Sequence, residues 1–257
     1  MKVVYVCGYG RSGSTLLGRV LAHSLSTITV GEMTHTASYI FLAKATCACG
    51  APFPKCDFWR EVDVRLRRLA NNVEDGPRAQ LRKLPDAVEG TLGLLISSRR
   101  LNRLVQSRRF SDRYPLVTFA EGLKVVAKVS GCSFVDTSKT TRHTANRPRL
   151  IAACGTDLEL HLASRPLHEV INSYQAAQLR AGRGTSRWLA ACKVTWGRAL
   201  AMLAAKTCAH LLDIPLHTST LLESIHYVSS MPSSANRYNH MIAGNRSRHA
   251  PALEGEQ

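Results

Sequence analysis

Gly8-Tyr9-Gly10-Arg11-Ser12-Gly13-Ser14-Thr15 carries the reading of the fold. Two glycines separated by four residues, then a position for Lys and a Ser or Thr, is the spacing of a loop that cradles nucleotide phosphates. Gly8, Gly13 and Thr15 keep that spacing, but Ser14 stands where the lysine belongs. The cation lies inside the loop, as Arg11. Such a loop keeps its anion cradle without the lysine that reaches the β- and γ-phosphates of ATP or GTP.

Both flanks suit the loop. Lys2-Val3-Val4-Tyr5-Val6-Cys7 is a short, largely β-branched apolar run, as in a buried parallel strand. Leu16, Leu17, Val20, Leu21 and Leu25 then recur at helical spacing. Strand, glycine turn and helix start aim backbone N–H groups and the positive end of a helix at one point. An ordinary βα turn is the plainer alternative.

Outward from the loop, the pattern predicts strands at Thr27–Gly31, Ser133–Asp136, Leu158–Ala163 and Asp213–His217. Helical phase is expected over Pro77–Phe110 with breaks near Pro85 and Gly93, over Tyr114–Lys128, from Val170 onward and over Trp188–Leu212. Cys47 to Trp59 is broken by Pro and Gly and reads as a loop. Strands alternating with helices predict an α/β fold, a three-layer parallel sheet flanked by helices. A single domain over 1–248 is expected, with a helical insertion at about 60–128 and a loose tail at 249–257.

The 257 residues suffice for one substantial core. No run of eighteen or more apolar residues occurs, so no membrane span is expected. The N-terminal apolar run is too short for a signal-peptide core, which makes the cytoplasm the expected location and thiols the expected state of the eight cysteines. A net charge of +16 favours polyanionic ligands. Arg65, Arg67, Arg68, Arg99, Arg100, Arg103, Arg108 and Arg109 concentrate it between Arg60 and Arg113, either as a solvated face or as an anion-binding surface.

Val6 to Leu17 resembles the 5′-phosphosulfate loop of sulfotransferases that use PAPS (3′-phosphoadenosine 5′-phosphosulfate). Their loop, (Arg/Lys)-Ser-Gly-(Ser/Thr)-Thr, is matched by Arg11, Ser12, Gly13, Ser14 and Thr15. Further elements follow in order. Glu32 lies 21 positions after Arg11, as does the catalytic Glu of tyrosylprotein-type members. A carboxylate at the end of a strand is also placed to take a hydroxyl proton, with His35 as a fallback base and an arginine-paired loop carboxylate as the plain alternative. Asp136-Thr137-Ser138-Lys139 resembles the family's Asp-Ser-Ser-Lys, whose lysine faces the transferring sulfonate. Arg165, with Ser173 eight positions on, is similar to the pair that grips the 3′-phosphate, although Pro166-Leu167 replaces the usual Asp-Pro. His240 to Arg248 resembles the C-terminal His-x-x-x-Gly-Asn-x-x-Arg segment of bacterial and carbohydrate-type members, which adds Asn245 and Arg248 to the cofactor contacts.

The resemblance implies a P-loop-NTPase-like sulfotransferase fold that transfers a sulfonate from PAPS to a hydroxyl of a carbohydrate, lipid or other small molecule, releasing PAP (3′-phosphoadenosine 5′-phosphate). Glu32, Arg11 and Lys139 are then the catalytic residues. No metal is expected: Cys47, Cys49 and Cys56 offer three ligands where structural zinc wants four. The other cysteines read as small core residues. Near residue 220, Leu216 to Leu222 lacks the acids of the family's Tyr-Glu-Asp-Leu-like segment. Two other readings stand beside this one: a kinase with a divergent P-loop, and a non-catalytic anion- or nucleic-acid-binding protein. Nucleic acid is not expected as the main partner.

Overall fold

The computed structural model describes residues 1–33, 47–52, 55–69, 86–107 and 118–220. Five strands, β1 (Lys2–Cys7), β2 (Ile28–Gly31), β3 (Ser133–Asp136), β4 (Asp157–Ser164) and β5 (Leu216–Thr220), form one sheet in the order β2-β3-β1-β4-β5. Every neighbouring pair is parallel. The helices are α1 (Ser14–Ser24), α2 (Asp57–Leu69), α3 (Asp86–Glu89), α4 (Ser98–Val105), α5 (Phe119–Val129), α6 (Arg147–Ala152), α7 (Leu167–Arg180) and α8 (Arg187–Leu212), with a 3-10 turn at Thr91–Leu95. The protein is α/β, with an all-parallel sheet flanked by helices.

β1 is central, so both of its faces are covered and Val3 to Cys7 are all buried. Its side chains alternate between two cores. Val3, Tyr5 and Cys7 join Phe134 and Leu160 against Trp59, Val62 and Leu66 of α2, Leu101 of α4, Leu123 of α5, Leu150 of α6 and Cys208 of α8. Val4 and Val6 pack with Leu17 and Ala22 of α1, Val135 and Ala163. Right-handed crossovers explain the division. The chain leaves β1 in one direction along the sheet toward β2, and leaves β3 and β4 in the other, which sends the connecting helices to opposite faces. Neighbouring strands β1 and β4 therefore diverge, and their C-terminal ends form the switch point where α/β sheets bind ligands.

Element by element, the expected strands appear within one to three residues. The break near Gly93 is the 3-10 turn. Two expectations need correction. The loop from Cys47 stops at Cys56, because Asp57 opens α2 and its first turn carries Phe58 and Trp59 into the core. Cys132 and Cys192 are exposed, one in the turn before β3 and one on the outer side of α8, so only Cys7, Cys154 and Cys208 of the scattered set are core residues. The helix expected from Tyr114 begins at Phe119, where Thr118 and Glu121 form a capping box. Arg99, Arg100 and Arg103 are exposed on α4, whereas Arg108 and Arg109 lie outside the described residues. No described helix is long and apolar enough to cross a membrane.

On the α1 side of the sheet, His161 stacks on His217 at 5.1 Å and meets the Glu159 carboxylate at 2.7 Å. Burial pulls the His161 pKa below its ordinary 6.5, with Glu159 opposing and His217 and Lys2 assisting. A depressed folded value means that the unfolded chain binds the extra proton first as pH falls below about 6.5, so stability should drop there. Urea midpoints at about pH 7.5 and about pH 5.5 should differ less in His161→Gln than in wild type.

Candidate functional site

The loop leaves β1 at Cys7 and turns through Gly8 (φ 135°), Arg11 (φ 70°) and Gly13 (φ 91°). Gly13 is the N-cap of α1 in the left-handed conformation, which only glycine adopts without penalty. No side chain caps this helix and its first turn holds no acid. The first N–H groups of a helix lack intrahelical partners and carry its positive end, so the terminus suits an anion. Beside it the Ser12 hydroxyl is buried and has no hydrogen-bond partner. A buried, unsatisfied hydroxyl costs about 1–3 kcal/mol, a cost that a ligand oxygen would remove.

Glu32 and Lys139 come from different strands and meet. Glu32 follows β2, Lys139 follows β3, and the ammonium nitrogen is paired with Oε1 of the carboxylate. Lys139, like Arg11, sits at positive φ (68°). Left-handed backbone at non-glycine residues costs on the order of 1–3 kcal/mol and gathers at functional sites. The surroundings hold Lys139 there. The Tyr5 hydroxyl donates to the Lys139 carbonyl, and burial, followed by the nearby Asp136, raises the Tyr5 pKa well above its usual value so that this donor stays protonated. Thr140 ties the turn to the loop: its N–H donates to the Gly8 carbonyl, its Oγ1 accepts from the Gly8 N–H at 3.2 Å, and its hydroxyl donates to the Ala201 carbonyl at 2.9 Å.

Beneath Lys139 lies an ion cluster. Asp136 accepts from the Ser138 N–H at 2.9 Å and from the Ser138 hydroxyl, while its other oxygen accepts from Arg147 Nε at 3.2 Å. Arg147 also donates from Nη1 to Glu89 at 2.5 Å, and its guanidinium lies 5.5 Å from the Phe119 ring centre. Burial pulls the Arg147 pKa down, but Asp136 and Glu89 more than offset it, so the guanidinium stays charged. Motif reading missed Arg147 and Glu89. An arginine just before Pro148 at the start of a short helix carries no sequence signal for burial.

Across the loop, Arg165 follows β4 and its Nε donates to Glu169 at 2.6 Å. α7 starts at Leu167 with Pro166 as its N-cap and no side-chain cap. Ser173 is six residues past Leu167, roughly 9 Å along the axis at 1.5 Å per residue. No hydrogen bond joins it to Arg165 among the described residues. Between the loop, the end of β4 and α8 opens a cleft of about 250 Å³, lined by Gly8, Tyr9, Ser12, Ser164, Thr195 and Arg198 with apolar side chains between them. The Tyr9 ring lies directly on Gly197 of α8, where a Cβ would overlap it. Gly197→Ala should therefore force the Tyr9 ring aside and lower the free energy of unfolding by about 1–3 kcal/mol, the usual cost of overpacking. A urea midpoint equal to that of wild type would contradict this.

Of the sequence-assigned residues, Arg11 to Thr15, Glu32, Lys139 and Arg165 share the C-terminal edge of the sheet, following β1, β2, β3 and β4. Ser173 stands on the adjoining helix. His35, His240, Asn245 and Arg248 lie outside the described residues. Comparisons of the chain with protein-family models, curated proteins and solved structures give no match.

Proposed function

We propose that the protein is a sulfotransferase that uses PAPS and transfers its sulfonate to a hydroxyl of a carbohydrate, lipid or other small molecule, on a P-loop-NTPase-like sulfotransferase fold. The observation that carries the reading is the pairing of Glu32 with Lys139 beside a phosphate-type loop that has Ser14 at the Walker lysine position. A proton acceptor and a cation thus stand together at the C-terminal edge of the sheet.

The chain's residues fit the donor. The open N-terminus of α1, the unsatisfied Ser12 hydroxyl and Arg11 form a set for the 5′-phosphosulfate. Arg165 and Ser173, with Asn245 and Arg248 as further candidates, are the set for the 3′-phosphate. The cleft against α8 has apolar walls and, among the described residues, one lining cation, Arg198, which suits the nucleoside portion. When bound, PAPS supplies a sulfonate on a phosphoric–sulfuric anhydride with PAP as its leaving group.

Glu32 takes the proton from the acceptor hydroxyl as its oxygen bonds to sulfur. The sulfur–oxygen bond to the phosphate breaks, and its electron pair remains on the phosphate oxygen. Lys139 and Arg11 neutralise that developing charge. A donor anion competes with Glu32 for Lys139, which frees the carboxylate for its proton. Donor on the β4 side and acceptor on the β2 side meet over the loop.

The test is transfer of labelled sulfonate from PAPS to a panel of carbohydrate, lipid and small phenolic or alcoholic acceptors, without added metal. Transfer to at least one class is expected. Phosphoryl transfer from ATP with magnesium, and none from PAPS, would replace this reading with a kinase.

A further inference from the structure

The chain between β2 and α2 brings three thiols together away from the loop. The Sγ atoms of Cys47, Cys49 and Cys56 all lie within 4.8 Å of one another, and those of Cys49 and Cys56 are 3.6 Å apart. Local backbone builds this. Cys47 N–H donates to the Ala51 carbonyl at 2.8 Å and Gly50 N–H to the Cys47 carbonyl at 2.9 Å, closing a tight turn that returns Cys49 over Cys47. Gly50 takes φ 103°, as that turn requires. Cys56 then stands one residue before α2, held by the burial of Phe58 and Trp59, whose rings meet edge-on at 4.9 Å.

We infer that Cys47, Cys49 and Cys56 form a three-thiolate site for a tetrahedral divalent cation, zinc foremost. Zinc–thiolate bonds of about 2.3 Å at tetrahedral angles separate sulfurs by about 3.8 Å, close to the 3.6 Å between Cys49 and Cys56 and within about an ångström of the 4.8 Å limit for all three. A disulfide would bring two of the sulfurs into bonding contact and has no use for a third. Three converging thiols match a metal centre. Cys47 and Cys56 are buried and Cys49 is exposed, so the fourth position opens on the solvent side. Among the described residues no fourth side chain joins the three, and a water ligand would complete the tetrahedron, as in sites with three protein ligands. Counting ligands in the sequence argued against a metal; the count is still three, and the geometry adds that the three converge.

On binding, each thiol gives its proton to solvent as its sulfur–metal bond forms. Three thiolates and one dication leave a charge of −1, which a chain of net charge +16 readily tolerates. The centre staples the 47–51 turn to the first turn of α2, and so to Trp59, Val62 and Leu66 in the main core.

The test is metal content and cobalt spectroscopy on the full chain. Protein refolded with zinc and dialysed should retain about one zinc per chain, and cobalt should give a thiolate-to-metal charge-transfer band. Cys49→Ser, at an exposed position, should lose both without unfolding. Cys192→Ser, exposed on α8, should keep both. Absence of retained zinc and of the cobalt band in wild type would overturn the inference. So would their persistence in Cys49→Ser, or an intact mass short of two hydrogens that places a Cys49–Cys56 disulfide in the refolded protein.

Discussion

Replacing Arg147 by methionine is expected to lower the free energy of unfolding by about 3–5 kcal/mol, the usual cost of removing one partner from a buried ion cluster. The side chain is 4% exposed, and it faces Glu89 at 4% and Asp136 at 0%. Two carboxylates would be left in the core without their cation. The triple change Arg147→Met, Asp136→Asn, Glu89→Gln should recover part of the loss, because it removes the stranded charges as well. Urea denaturation of the three proteins measures this. A loss below about 1 kcal/mol for Arg147→Met would show that the cluster is not a structural element. The effect should also reach the site, because Asp136 holds Ser138, the neighbour of Lys139. Arg147 is a positioning residue.

Glu32→Gln should reduce sulfonate transfer by roughly 10²–10⁴-fold, the range for loss of a general base. PAP affinity should stay within about threefold of wild type, because in the proposed site Arg165 and Ser173, on the other side of the loop, hold the donor. Lys139→Met should lower turnover by more than it lowers PAP affinity, since in the proposed mechanism its cation acts mainly on charge that develops during transfer. The split between turnover and PAP binding is the informative readout. A Glu32→Gln protein with full turnover would move the base elsewhere, whereas one that loses PAP binding would make Glu32 a structural partner of Lys139.

Much of the sheet was legible because β1 and β2 are short β-branched runs that end at a glycine, while β4 alternates Leu158, Leu160 and Leu162 with polar or small residues. The strand–turn–helix of the loop was legible for a different reason: Gly8 and Gly13 mark the positive-φ positions of its turn. Glu32, Lys139 and Arg165 could be assigned to one edge because parallel strands all end on the same side. What stayed hidden depends on contacts between distant segments. The Glu32–Lys139 ion pair joins residues 107 apart, and Thr140 bonds to Ala201 across 61. Arg147 looked like one of 34 basic residues until its burial and partners were visible. The Cys49–Cys56 approach follows from a turn geometry that spacing alone does not give. Arg165 pairs locally with Glu169, and in the proposed site a 3′-phosphate would compete with that pair.

That competition, and the loop itself, lead to one measurement: calorimetric titration of PAP, without magnesium, into wild type, Arg11→Ala and Arg165→Ala. A charge-assisted hydrogen bond is worth about 1.5–3 kcal/mol, so each variant should bind roughly ten- to a hundredfold more weakly than wild type. ATP should not compete at equal concentration. If wild type binds PAP no better than either variant does, the sheet edge is not a PAPS site, and the sulfotransferase account fails.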